Sequence, residues 1–501
     1  MAKNHDKDGK REKHDKHDKR DKDGKQDKHD NDGKRGKHSG DEAIASNIRN
    51  TVAGNGHNSH NGGMRASGAA RPSGAWGGTL AITGARLIDG TGADPLERAT
   101  VVLDGERIAA VGAADAVQIP RDAAVIEADG MTLLPGLIDC HVHFFGQWGY
   151  DVLRGLMTPP SLALLYAVPN ARATVEAGVT TVRDAGGTPA GVKMAIERGL
   201  FVGPRMLVSV SFLSQTGGHG DSMMPCCIDL GDNLLPDVPS GVVDGEEEMR
   251  AKVREILRAG ADWIKLCTSG GVLSSADSPQ HAQFTVAEIA TAVYEAAAQG
   301  KRCLAHAQST QGIKNAIEAG IASIEHGIYL DDEAIEMMLK RGVYLVPTLV
   351  APQDVLDLAA ARPGLLPDYA INKAREVMSA HRDSFRRAVE AGVTVAMGTD
   401  TGVGPHGGNA RELRLMAENG MTAMQAIVAS TRTAAELLRL DDRLGTVASG
   451  KLADLLLVEG NPLEDLGLLA DADRLALVLK GGAPIRSRLA PPQARVAAVG
   501  V

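Results

Sequence analysis

Six residues scattered over 260 positions share one habit: each ends a run of apolar, strand-like sequence with a side chain that can bind a metal ion or move a proton. His141 and His143 close the run Leu134-Pro135-Gly136-Leu137-Ile138-Asp139-Cys140-His141-Val142-His143, and Lys265, His306, His326 and Asp400 follow. Residues i and i+2 of a strand face the same way, so the two imidazoles aim at one point from backbone positions ~6–7 Å apart. That geometry suits a divalent ion. A lone His-x-His is more often a polar strand end, so the weight lies in the four later residues, each at its own strand end. Taken singly, His306 and His326 have a blander reading as hydrogen-bonded core histidines, and Lys265 as half of a strand-end ion pair.

Such a set needs a scaffold that gathers strand ends. Between 133 and 440, candidate strands end at His143, Asp184, Ser214, Leu266, His306, His326, Leu349 and Asp400. Helical periodicity covers 246–259, 285–299, 309–319, 331–341 and 408–418 between many of them. Alternation of this kind predicts an α/β fold, a (β/α)8 TIM barrel with its chemistry at the C-terminal strand ends. The candidate ligands would then end strands one, four, five, six and eight. Short strands at 80–82, 85–88, 99–103 and 107–111, with a turn at Asp104-Gly105, precede the barrel, and the same texture returns at 451–458 and 476–479. A small β-sandwich domain built from 78–132 and 441–490 is expected, with the barrel inserted between its halves.

The 501-residue chain is large enough for this plan, and its body is acidic. Residues 1–40 carry 14 Lys and Arg against 10 Asp and Glu, so a net charge of −9 leaves the remainder at about −13. Nothing in that balance points to nucleic acid. Residues 1–75 are Lys/Asp/His/Gly-rich with almost no apolar periodicity, which predicts a disordered tail. Its histidines, His5, His14, His17, His29 and His38, could bind metal loosely; a solvated polyampholyte is the simpler reading. The five cysteines form no Cys-x-x-Cys pair and no disulfide framework, so a reducing, cytoplasmic setting is expected. No apolar stretch is long enough for a secretory signal or a membrane helix.

Taken together, the phrases resemble one family. Pro135-Gly136-Leu137-Ile138-Asp139-Cys140-His141-Val142-His143, Gly178-Val179-Thr180-Thr181-Val182-Arg183-Asp184, Gly217-Gly218-His219-Gly220-Asp221, Asp262-Trp263-Ile264-Lys265, Ser269-Gly270-Gly271-Val272, Ala305-His306-Ala307, Ile324-Glu325-His326-Gly327, Gly398-Thr399-Asp400 and His406-Gly407-Gly408-Asn409 are its markers. From about 78 to 482 the chain resembles the metal-dependent amidohydrolase superfamily. Within it, the similarity is to the imidazolonepropionase-like group that includes Xaa-Pro dipeptidases and ochratoxin-type amidases.

The resemblance implies two divalent metal ions, zinc first, although cobalt, manganese or iron also suit mixed nitrogen and oxygen donors. It assigns His141 and His143 to the more buried ion, His306 and His326 to the second, Lys265 to a bridge and Asp400 to a ligand that is also the base. Because an ammonium cannot ligate, Lys265 would act as its N6-carboxylated carbamate. Ions ~3.5–4 Å apart would hold a bridging hydroxide as nucleophile, and Asp400 would pass its proton to the leaving amine. His219 would contact substrate or shape its glycine-flanked loop, and His406 would shape its own loop first and touch substrate second. Arg183 and His219 are the candidates for a substrate carboxylate, and Tyr329 for a hydrogen-bond donor, since Phe284 stands where related chains present a tyrosine.

The expected activity is hydrolysis of an amide bond next to a C-terminal amino acid, in a dipeptide or an N-acyl amino acid. A cyclic amide or imidazolone is the alternative substrate, and metal buffering by the His-rich tail is the alternative from another class. The expected partner is a small molecule, with no nucleic acid and no membrane, and relatives of this kind often form homo-oligomers.

Overall fold

The computed structural model describes residues 78–145, 152–224, 226–229 and 235–494; the expected tail over 1–75 lies outside them. The described chain opens with β1 (Thr79–Leu87), β2 (Leu96–Asp104), β3 (Arg107–Ala113), β4 (Ala124–Glu127) and β5 (Met131–Pro135). β1 pairs antiparallel with β2, and parallel with β4 through Leu80–Thr83 and with β5 through Arg86–Leu87. The sheet therefore splits at β1 into two leaves. Leu80, Ile82, Val101, Leu103, Ile126 and Leu133 from both leaves are buried in one shared core.

The barrel strands follow: β6 (Leu137–Val142), β7 (Val179–Asp184), β8 (Arg205–Val208), β9 (Phe212–Leu213), β10 (Trp263–Cys267), β11 (Arg302–Ala307), β12 (Ser323–His326) and β13 (Tyr344–Val346). All pair in parallel, in the orders β6-β7-β8 and β9-β10-β11-β12-β13. β8 and β9 are two pieces of the single third strand expected to end at Ser214, parted where Val210 takes φ 63°. The eighth position belongs to segment 394–401. On one side Leu345 N–H donates to the Thr394 carbonyl and Ala396 N–H to that of Leu345; on the other, Cys140 N–H donates to Met397 and His143 N–H to Thr401. The cylinder closes through these bonds without a continuous ladder. Leu349 does not end a strand as expected, because Thr348 at φ 53° turns the chain into the helix Val350–Ala361.

β6, β7, β10 and β12 are buried along their whole length, as parallel strands covered on both faces must be. On β6 the two-residue period sends Ile138 and Cys140 to a cluster with Ala434, Leu437 and Leu438 of the helix Arg432–Leu438. Asp139, His141 and His143 fall on the opposite face. The predicted helices appear close to their expected bounds, and three start on caps written in the sequence. Thr285 and Glu288 cap Val286–Ala298 reciprocally, Ser309 caps Thr310–Ala319, and Asp331 caps Asp332–Arg341.

The C-terminal strands return to the first sheet. β14 (Leu455–Glu459) lies beside β5, β15 (Leu475–Lys480) beside β14, β16 (Ala483–Ser487) beside β15 and β17 (Gln493–Ala494) beside β4. Both ends thus contribute strands to one sheet. β5 belongs to it as far as Pro135, so the expected boundary at 132/133 falls inside a strand and the change of sheet comes at Gly136. All five cysteines are unpaired. Among the described residues, no helix is long and apolar enough to cross a membrane.

At Gly136 the chain passes so close to β7 that a Cβ would lie 2.3 Å from Thr180 Oγ1. Gly136→Ala is expected to cost roughly 1–3 kcal/mol of stability by overpacking this junction, seen as a fall of several degrees in the thermal unfolding midpoint.

Candidate metal centre and active site

His141, His326 and Asp400 bring one donor atom each to within 4.8 Å of one another at the C-terminal mouth of the barrel. His141 Nε2 is 3.4 Å and His143 Nε2 3.1 Å from Asp400 Oδ1, and Lys265 Nζ is 3.3 Å from His141 Nε2. His306 joins through His326, with ring centroids 4.6 Å apart. Two ligands held ~2.1 Å from one tetrahedral ion sit ~3.4 Å apart, so the first two spacings are those of donors sharing a cation. All six line one cavity of about 300 Å³, together with His219.

Hydrogen bonds on the outer side of each ring determine which nitrogen faces inward. His141 Nδ1 lies 2.7 Å from the Glu325 carboxylate, and His143 Nδ1 lies 2.9 Å from the Gly186 carbonyl. His306 Nε2 lies 3.1 Å from the Gly270 carbonyl. These oxygens accept only, so the proton sits on the bonded nitrogen; His141 and His306 keep a lone pair on the other, whereas His143 Nε2 faces the Asp400 carboxylate. His326 Nδ1 is likewise engaged, 2.7 Å from Thr348 Oγ1. Burial holds His141, His306 and His326 well below the ordinary histidine pKa, which keeps them in the neutral, ligating form. For His143 burial works the same way, but the hydrogen bond and charge of Asp400, with Asp184, outweigh it and raise its pKa. Burial alone would raise Asp400; the neighbouring His141, His143 and Lys265 lower it. The donor set fits a divalent cation.

Lys265 is 4% exposed, and burial depresses its pKa. Among the described residues no carboxylate oxygen lies within 4.0 Å of Nζ, so the strand-end ion pair considered for it does not form. His326 and Asp400 both occupy the left-handed region, at φ 72° and 60°. Non-glycine residues pay for that conformation, and such strain collects at functional sites.

The remaining candidates divide. His219 stacks on His306 with centroids 4.1 Å apart and lines the cavity; its ring fits because Gly271, where a Cβ would lie 2.2 Å away, has no side chain. Its Nδ1 is 2.9 Å from Ser274 Oγ, whose own proton goes to Asp277, so Nδ1 carries the hydrogen and Nε2 is the acceptor. Burial pushes its pKa down to about 4. Arg183 must be corrected as a substrate contact. It is wholly buried inside the barrel, donating to the Cys140 carbonyl, Ser323 Oγ and, at 2.8 Å, the Glu325 carboxylate, with its guanidinium 4.7 Å from the Trp263 ring. His406 shapes its loop, since both ring nitrogens are engaged, with Thr174 Oγ1 and the His143 carbonyl, each at 3.1 Å. Tyr329 packs in a cluster with Val355 and Val377 and does not line the cavity, and Phe284 is buried in the main core.

Two supporting residues were not singled out from the sequence. Glu325 bonds both His141 and Arg183, and Asp139 accepts from the backbone N–H groups of His141 and Thr399 and from the side chains of Thr399 and Asn409. Each stands beside or two places from a candidate ligand, the one signal that could have found them.

The model of the Amidohydrolase family matches residues 132–485, from β5 through the barrel to β16. The chain belongs to the amidohydrolase family. It is a hydrolase of amide-type bonds, and its relatives are named accordingly. Ochratoxinase of Aspergillus niger is 36% identical over 416 residues, which cover 79% of this chain and 84% of that protein. A crystal structure of a Xaa-Pro dipeptidase with methionine bound in its active site is 37% identical, with a TM-score of 0.75 over 81% of this amidohydrolase and 99% of that chain. Imidazolonepropionase of Shouchella clausii (strain KSM-K16) is 25% identical over 416 residues, 77% of this chain and 85% of that protein.

Glu325 and Arg183 are both fully buried, so removing one leaves an uncompensated charge. Glu325→Ala is expected to destabilise the metal-free amidohydrolase by about 3–5 kcal/mol, measured as a lower denaturant midpoint. An unchanged midpoint would show that the pair contributes nothing.

Proposed function

We propose that this protein is a binuclear metallohydrolase that cleaves the amide bond next to a C-terminal amino acid, in a dipeptide or an N-acyl amino acid. The observation that carries the reading is the convergence of His141, His143, Lys265, His306, His326 and Asp400 on one cavity, with lone pairs left on His141 and His306. Identity to ochratoxinase and to a Xaa-Pro dipeptidase, 36% and 37%, favours this substrate class over a cyclic amide, for which the imidazolonepropionase likeness is 25%.

His141 and His143 would hold one ion and His306 and His326 the other, with zinc the first choice for such donors. Bound there, two divalent ions would acidify a water molecule and polarise the scissile carbonyl. Lys265 would bridge them as a carbamate, formed when its neutral amine adds carbon dioxide and loses a proton. Burial and the lack of a close carboxylate partner among the described residues both favour that neutral amine. Asp400, in contact with His141 and His143, would take the proton of the attacking water and deliver it to the leaving nitrogen. His219, with Nε2 as acceptor, would meet a substrate N–H beside His306.

The acyl part has room of its own. A lobe of about 330 Å³ extends past His143, Phe145 and Phe212 toward Leu235 and Val238. Phe212 is seated between Gly186 and Gly220, where a Cβ on either would come within 2.7 Å and 2.6 Å of its ring. The walls favour an apolar acyl group. Unpaired thiols and a small-molecule cavity suit a cytoplasmic enzyme.

Purified protein is expected to carry about two ions per chain and to hydrolyse Xaa-Pro dipeptides or N-acyl amino acids faster than cyclic amides; activity on cyclic amides alone would reject the substrate class. Deleting residues 1–75 should leave both ions bound, whereas their loss would support metal buffering by the tail. Asp400→Asn should lower kcat by roughly 10²–10⁴ while most of the metal stays. Metal-free protein should reload two ions only with bicarbonate present, and Lys265→Ala should reload fewer; reloading that ignores bicarbonate would remove the carbamate.

A further inference from the structure

The catalytic cavity has a second, smaller lobe of about 50 Å³ beyond His306 and His326, walled by Val272, Ile328, Val355 and Val377. One polar side chain there has no evident employment. Gln308, the first residue after β11, is 5% exposed, and its Oε1 is buried with no hydrogen-bond partner among the described residues; none is seen for its Nε2. Its backbone is firmly placed, with its N–H donating to Ser269 Oγ at 2.7 Å and its carbonyl accepting from Tyr329 N–H at 2.9 Å. Buried side-chain amides are almost always paired with protein or ordered water, so one left open toward a substrate cavity is free to bind what enters it. A half-turn of the amide exchanges its ends, so it can offer the lobe either N–H donors or a carbonyl.

Asp400 decides which half of a substrate comes here. It borders the central cavity and the Gln308 lobe but not the larger apolar lobe beside Phe212. The group that protonates the leaving nitrogen must reach that nitrogen, so the leaving half lies on the Gln308 side and the acyl half on the Phe212 side.

We propose that Gln308 is a specificity residue whose amide N–H groups bind the carboxylate of the leaving amino acid, while the valine and isoleucine walls take that residue's small apolar ring or side chain. This inference rests on the functional reading above. It replaces Arg183, which Glu325 holds deep in the barrel, with a neutral donor on the cavity wall. Neutral amide recognition favours a small apolar amino acid such as proline over a basic one, because the one acidic side chain on these walls, Asp400, is committed to the proton transfer.

The experiment compares an aminoacyl-proline with the matching aminoacyl-pyrrolidide, which keeps the ring and the scissile bond but lacks the carboxylate. Wild-type holoenzyme should prefer the proline substrate in kcat/KM. Gln308→Met, close in size and unable to donate, should cut the proline-to-pyrrolidide ratio roughly 10- to 100-fold, chiefly through KM on the proline substrate. Metal content, measured on the same samples, should remain at the wild-type level. Gln308→Glu should cut the ratio further by repelling the carboxylate. Equal scaling of both substrates by Gln308→Met, or an unchanged ratio, overturns the assignment while leaving the hydrolase reading intact. If the wild type cleaves neither substrate, proline is not the leaving amino acid and this inference falls, while the hydrolase reading stands or falls on the wider panel of dipeptides and N-acyl amino acids.

Discussion

The seam between the first and eighth barrel strands is the contact on which the site depends. The His141 carbonyl accepts the N–H groups of Asp400 at 2.7 Å and Thr399 at 3.3 Å, and His143 N–H donates to the Thr401 carbonyl. The bonds that close the cylinder are therefore made by the candidate ligands and their immediate neighbours. Asp139 clamps the same seam, taking four hydrogen bonds from His141, Thr399 and Asn409. Burial pushes its pKa up to about 6 against the pull of those bonds. Hydrogen bonds to a charged group stabilise more than neutral ones, so this carboxylate ties barrel closure to the position of Asp400.

Below the seam the barrel interior handles charge by pairing it. Glu325 lies between Arg183 and His141, and each of the three is at most 1% exposed. One oxygen neutralises the guanidinium and the other orients the imidazole. This explains why Arg183, attractive from its place at a strand end, is unavailable to a substrate. It also explains how His141 keeps a lone pair toward the cavity, where Lys265 Nζ lies 3.3 Å from its Nε2. Strain is tolerated where these contacts hold the backbone: His326, Thr348 and Asp400 all adopt positive φ around the cavity mouth.

Much of the fold was legible because its signals are local. Apolar runs ending in polar residues marked most barrel strands, and caps such as Thr285, Ser309 and Asp331 marked helix starts. The misplacements fall where local signals fail. Segment 394–401 reads as a strand but closes the barrel with irregular bonds, Leu349 reads as a strand end but enters a helix after Thr348, and β5 reads as barrel but joins the small sheet through β14. The first and third outcomes were decided by partners more than 40 residues away in sequence, and at the second the freed Leu349 N–H is taken by the distant Glu412 carboxylate.

The site follows the same division. Residue types and the two-residue strand period already determined that His141 and His143 share a face, and that Lys265, His306, His326 and Asp400 stand within two residues of strand ends. Those properties need only neighbouring residues. Which ring nitrogen faces the cavity, that Arg183 is buried against Glu325, that His406 supports a loop, and that Gln308 stands open beside the site were decided only by the tertiary structure. Hydrogen-bond partners across a closed barrel come from strands distant in sequence, and local periodicity carries no record of them.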